Sequence, residues 1–178
     1  MINGGYPGGA VVLVLGSPLS GIDHLARQFW KVEEGGGSYL MIDGEIEEGM
    51  VDARTLPPSQ FPEHYSGLRV VVDSLSSIIL TNGIDEALRT LLSAKKEAVA
   101  KNSTLLFLLY NGIHKPEEEN RIFRIADVVL ELKVVTFVTE VERQLAVHKL
   151  RQTQVPKRLI PYNITEKGIE LSTTSRVV

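Results

Sequence analysis

Gly16-Ser17-Pro18-Leu19-Ser20-Gly21-Ile22-Asp23 carries two glycines at the spacing of a loop that holds phosphate. It follows an apolar run and opens a helical pattern, which is the setting such a loop needs. Loops of this kind aim successive backbone N–H groups, and the positive end of the helix, at phosphate oxygens. A Lys after the second glycine neutralises the outer phosphates, and the next Ser or Thr holds Mg²⁺. In this chain Gly16 and Gly21 keep the spacing, but Ile22 stands at the Lys position and Asp23 at the hydroxyl position. At an effective dielectric of about 20, two like charges about 4 Å apart repel by roughly 4 kcal/mol. The loop is therefore expected to bind ATP and Mg²⁺ weakly or not at all.

Other groups could carry chemistry. Asp73 ends the apolar run Val70–Val72, and Asp43 and Glu45 follow the run Tyr39–Ile42. Together these carboxylates could hold a divalent ion without the Lys, which keeps a residual ATPase as a minority reading. Lys149 and Arg151 flank Leu150, so on a strand both point off one face. The simpler reading of that pair is an edge strand that uses charge against aggregation. With Lys157 and Arg158 they form a basic segment that could meet single-stranded DNA, whose phosphates attract such clusters. The four histidines, His24, His64, His114 and His148, lack ligand spacing. No Gly-x-Ser-x-Gly elbow is present, and the absence of Cys excludes disulfides, thiolate metal sites and a Cys nucleophile.

The elements that must position these groups follow from periodicity. Val11–Leu15, Val70–Val72, Thr104–Leu109 and Asp127–Leu132 read as strands buried on both faces of a parallel sheet, as does Tyr39–Ile42. Leu25, Ala26, Phe29 and Trp30 recur at helical spacing, and Ile84–Val99 reads as a helix with Ile84, Leu88, Leu91 and Leu92 on one side. Val134–Val141 and Gln144–Leu150 are β-rich around a charged turn at Glu142 and Arg143, and Leu159–Ile164 and Ile169–Leu171 add short strands. Gly44–Gly67, with Pro57, Pro58 and Pro62, reads as a loop with at most one short helix. Alternating strands and helices imply a helix-covered parallel sheet, and the closing run of strands implies an antiparallel extension. The 178 residues suit one domain, residues 1–178. A formal charge of −3 demands neither nucleic acid nor membrane. Acids dominate from Lys31 to Tyr65, and bases from His148 onward, which suits either solvated faces or head-to-tail contact between unlike patches. No apolar run reaches membrane-span length, and the Gly-rich start is unlike a signal peptide, so a cytoplasmic location is expected.

Several segments in order resemble the KaiC-like branch of the RecA superfamily, which includes paralogues of archaeal recombinases. Asn3–Gly9 is similar to the family's Gly-rich entry to the first strand. Val70–Leu75 resembles its Walker B strand, Asp127–Leu132 a late strand, Val147–Arg151 its V-x-K-x-R strand, and Pro161–Ile169 its closing segment. The resemblance implies a RecA-like three-layer α/β fold, with a mostly parallel central sheet, flanking helices and C-terminal antiparallel strands. It also implies a Mg²⁺-organising role for Asp73 and water-activating carboxylates near Asp43. Lys149 and Arg151 would reach into a neighbouring subunit's ATP site. Asn111–Arg124 falls where recombinases place a DNA-contacting loop, although Glu117, Glu118 and Glu119 would repel phosphate there.

Set against the altered loop, these implications give a catalytically degenerate paralogue that regulates an active recombinase or ATPase in DNA recombination or repair. Its partner would be a RecA-family protein, either itself or an active paralogue, with no membrane involved. The alternatives are a nucleotide-independent structural or signalling module and a weak single-stranded DNA-binding protein.

Overall fold

The computed structural model describes residues 8–32, 35–151 and 154–172. Asn3–Pro7 of the Gly-rich entry lie outside the described residues, as do Glu33, Glu34 and Arg176 of the charge pattern.

Strand β1 (Ala10–Gly16) is buried at every position. It runs parallel to β5 (Thr104–Tyr110) on one side and to β6 (Val128–Thr136) on the other. Two covered faces explain its unbroken apolar sequence. The sheet continues through β4 (Arg69–Asp73), β2 (Gly37–Met41) and the two-residue β3 (Val51–Asp52), all parallel. Beyond β6 the direction reverses through β7 (Val141–Leu150), β8 (Ile160–Thr165) and β9 (Gly168–Leu171). The full order is β3-β2-β4-β5-β1-β6-β7-β8-β9.

Helix α1 (Ile22–Trp30) covers one face together with the β8–β9 hairpin, and its Gln28 amide exchanges hydrogen bonds with the backbone of Ile169. Helices α2 (Leu75–Asn82), α3 (Ile84–Lys101) and α4 (Pro116–Ile125) supply the other apolar layer, around Leu75, Ile78, Leu91, Ala94 and Ile122. The expected three-layer α/β architecture is therefore present, with a mostly parallel sheet and an antiparallel extension.

Four details differ from the sequence reading. Leu92 is 50% exposed, because the buried stripe of α3 runs through Ala87, Thr90, Leu91, Ala94 and Ala98. Val134 continues β6 instead of starting a new strand, and Glu142 and Arg143 lie inside β7. The turn sits at Phe137–Glu140, where the Phe137 N–H donates to the Glu140 carbonyl at 2.8 Å. Asn111–Arg124 is mostly the helix α4, opened by Pro116 at its first turn, where the missing N–H costs nothing. Gly44–Gly67 holds the short strand β3 as well as a 3₁₀ segment at Pro58–His64.

Asp127 pins the start of β1. One carboxylate oxygen accepts the Val11 N–H at 3.1 Å, and the other meets Lys95 of α3 at 2.7 Å, with Arg151 at 3.6 Å. The carboxylate is only 3% exposed. Lys95 is a third exposed and can turn to water, but the buried Val11 N–H would lose its acceptor. Asp127→Ala is therefore expected to lower the unfolding free energy by about 1–3 kcal/mol, read from urea denaturation against the wild-type chain.

Candidate functional site

The glycine-spaced loop leaves the C-terminal end of β1 and turns at once into a 3₁₀ segment, Pro18–Ser20. Pro18 has no N–H to offer. The Ser20 N–H and hydroxyl both donate back to the Ser17 carbonyl, at 3.0 and 2.7 Å. A Cβ on Gly16 would fall 2.4 Å from the Ser20 hydroxyl oxygen, so the turn closes on itself only because residue 16 is glycine. Gly21 takes φ +80°, and a Cβ there would lie 2.6 Å from Cδ1 of Ile164 in β8. Tyr162, also in β8, donates its hydroxyl to the Ser20 carbonyl at 2.7 Å, and burial pushes its pKa up to about 12. Strand β8 therefore lies across the loop. Ile22, at the Lys position, is 1% exposed and belongs to the core face that holds Val14, Ala26, Met41 and Leu108.

Beside the loop is a cleft of about 230 Å³ that gathers Asp23, Asp43, Glu45 and Asp73. Three strand ends and one helix start create this convergence: Asp43 follows β2, Asp73 ends β4, Tyr110 ends β5, and Asp23 lies in the first turn of α1. Asp73 is nearly buried and accepts the Tyr39 hydroxyl at 2.7 Å, with the Tyr110 hydroxyl at 3.5 Å. Burial raises its pKa above the usual carboxylate value. The Tyr39 hydrogen bond and Arg27 oppose that rise, while the charges of Asp43 and Asp23 add to it. Asp43 accepts a hydrogen bond from Ser77, whose hydroxyl lies 2.9 Å from that of Ser74.

Arg27 is the cation of this cleft and was not singled out from the sequence. It bridges Asp23 one turn earlier, at 3.0 Å, and Glu47 at 2.5 Å. The Asp23–Arg27 spacing of four residues on a helix was the available signal. Glu47 comes from the acidic segment after β2, which carries no periodicity to reveal the contact. Among the described residues, no three His, Asp or Glu side chains converge as a metal ion requires.

Lys149 points toward α4, and Arg151, just past the end of β7, lies 3.6 Å from Asp127. Lys149 donates to the carbonyls of Phe123 and Arg124 at 2.9 and 3.2 Å, in the last turn of that helix, where positive charge is favoured. Burial and the Lys95 charge lower its pKa, against the opposing pull of the Asp127 carboxylate. A register shift between Val129 and Leu130 makes His148 an extra residue of β7, and its ring lies 2.7 Å from Glu131. Lys157 and Arg158 are exposed between β7 and β8.

The family model described as "ATPase: KaiC" matches residues 60–176, about two thirds of the chain. The chain belongs to the KaiC ATPase family. Among solved structures, this KaiC-family domain is similar to the KaiC-like protein PH0186 of the hyperthermophilic archaeon Pyrococcus horikoshii OT3. The identity is 19% over 95% of this chain and 92% of that one, with a TM-score of 0.70. It is also similar to the flagellar accessory protein FlaH of Methanocaldococcus jannaschii, with 14% identity over 97% of this chain and 93% of that one and a TM-score of 0.75. No curated protein sequence matches. The family match starts at residue 60, so it includes Asp73 and the β7–β9 segment but not the loop at Gly16–Asp23.

The raised pKa of Asp73 sets a testable pH dependence. A carboxylate that binds its proton more tightly when folded contributes stability below its unfolded pKa, and that contribution is lost as pH rises through the folded value. Asp73→Asn keeps an acceptor for Tyr39 without the charge. The variant is expected to melt at a higher temperature than wild type at pH 7 to 8. The gap should close as pH falls toward the ordinary Asp value of 3.8. Thermal melts followed by circular dichroism across that range would check it, and a constant gap at all pH values would refute it.

Proposed function

We propose that this KaiC-family domain is a catalytically degenerate paralogue. In this reading it neither binds nor hydrolyses ATP with Mg²⁺ in the usual way, and it acts as a regulatory partner of a RecA-family protein. The observation that carries the reading is the filling of the loop from within. Ser20 folds onto Ser17, Tyr162 holds Ser20 from outside, and Ile22 is core where a phosphate-binding cation would stand. The cleft beside the loop adds four carboxylates against Arg27, which is already paired with Asp23 and Glu47. A Mg²⁺–triphosphate would have to displace those ion pairs and still lack a cationic clamp. The resemblance to recombinase paralogues makes recombination or repair the setting to test first, with an active paralogue as the partner. The word accessory in the printed name of FlaH agrees with a supporting role.

A second reading, a structural module independent of nucleotide, draws on Lys149 and Arg151. Their contacts to α4 and Asp127 within the same subunit serve the fold directly. The two readings part on partner activity, since Lys149→Ala/Arg151→Ala alters an active paralogue's ATPase only under the first.

Calorimetric titration with ATP and Mg²⁺ is expected to show no binding heat, and saturable binding would overturn both readings. Restoring the motif by Ile22→Lys/Asp23→Thr is expected not to rescue binding. It should instead destabilise the domain by roughly 3 kcal/mol, because it replaces a side chain buried with Val14, Ala26, Met41 and Leu108 by one that must desolvate an ammonium. Chemical denaturation would measure that loss.

A further inference from the structure

Two Asn-Gly pairs, Asn82-Gly83 and Asn111-Gly112, lie at exposed positions and differ in what holds them. An Asn before Gly can lose its side-chain amide to its own main chain. The backbone nitrogen of the glycine attacks the side-chain carbonyl carbon, and the missing Cβ leaves that approach open. The attack needs a nitrogen that is free to shed its proton and a glycine that is free to turn.

Asn82 ends α2, and the Gly83 N–H donates to the Ile79 carbonyl at 2.9 Å. The Asn82 side-chain oxygen accepts the Thr81 hydroxyl at 2.7 Å. The nitrogen that would attack is thus a donor that closes the helix end. Asn111 follows β5 directly, in the turn that leads to α4. Its backbone N–H is anchored on the Gly16 carbonyl at 3.1 Å, at the start of the glycine-spaced loop. Its side-chain NH2 donates to Glu131 of β6 at 3.4 Å. Gly112 takes φ +80°, and a Cβ there would meet nothing within 4 Å. Among the described residues, no acceptor takes the Gly112 N–H.

We infer that Asn111 is a site of self-modification, at which the free Gly112 nitrogen closes on the Asn111 side chain and the amide becomes a carboxylate. A bond forms between the Gly112 nitrogen and Cγ of Asn111, and the bond from Cγ to Nδ2 breaks. The Gly112 nitrogen gives up its proton and ammonia leaves, so the first product is a cyclic imide. Water then adds to one of the imide carbonyls. Opening on one side restores the main chain with Asp at position 111. Opening on the other side routes the main chain through the former side chain, as isoaspartate. Either product sets a carboxylate where an amide donated to Glu131, and like charges repel there. The turn between β5 and α4, tied to Gly16, therefore changes its charge with time and without an enzyme.

Peptide mapping by mass spectrometry tests this on the full chain, held folded at mildly alkaline pH and sampled over days. The fragment with Asn111 is expected to gain the mass difference between amide and acid roughly fivefold faster than the fragment with Asn82, the factor that one backbone hydrogen bond imposes. In urea, where neither pair is held, the two fragments should convert at similar rates. Asn111→Gln keeps a donor for Glu131 and should leave the mass of its fragment unchanged. An Asn111 that keeps its amide in the folded chain overturns the inference, as does an Asn82 that converts equally fast there. A preference for Asn111 that persists in urea also overturns it, since the preference would then belong to the local sequence and not to the fold.

Discussion

The central strand β1 imposes the condition on which the rest of the structure rests. It is buried at all seven positions, so every backbone polar group on it must find a partner inside the protein. Strands β5 and β6 meet most of that demand. At its start the Val11 N–H is met by the Asp127 carboxylate, and that buried charge in turn requires Lys95. Two long-range elements are thus bound to one strand by a single side chain. At its other end the strand must turn immediately, because Gly16 packs against Ser20 with no room for a Cβ. The position of the loop follows from the strand, and its content is what the proposed loss of nucleotide binding rests on.

On that proposal, the loop's polar groups have changed partners. A loop built for phosphate keeps its N–H groups free for an anion. Here Pro18 lacks the group and Ser20 donates to Ser17. The Ser20 carbonyl takes the Tyr162 hydroxyl. Arg27, one turn into α1, is the positive charge near the carboxylates, and it is committed to Asp23 and Glu47. Within the loop, Ser20 spends its N–H and hydroxyl on Ser17 and its carbonyl on Tyr162, and beside it Arg27 is held by Asp23 and Glu47.

Much of this was legible in the chain. The apolar runs located β1, β2, β4 and β5, because a strand covered on both faces leaves no polar position to interrupt it. Gly16, Gly21, Ile22 and Asp23 read correctly as a strand-to-helix loop, since its spacing is local. Helix α2 was missed because Leu75–Asn82 is short and buried on several sides, so it has little amphipathic contrast. Helix α4 was read as a loop because its charged first turn, Glu117–Glu119, hides the buried Ile122. The i,i+4 spacing of Asp23 and Arg27 was a signal left unused, whereas the Arg27–Glu47 and Tyr162–Ser20 contacts join segments that only the fold brings together. The same holds for Lys149, whose acceptors are carbonyls and carry no sequence signature.

The bond from Tyr162 to Ser20 spans 142 residues of sequence. Contacts of such separation form late, since the intervening chain must be ordered before its ends can meet. During synthesis the Ser17–Ser20 turn needs only its own residues, but its bond to Tyr162 must wait for β8, so the last strands made are the ones that close the loop.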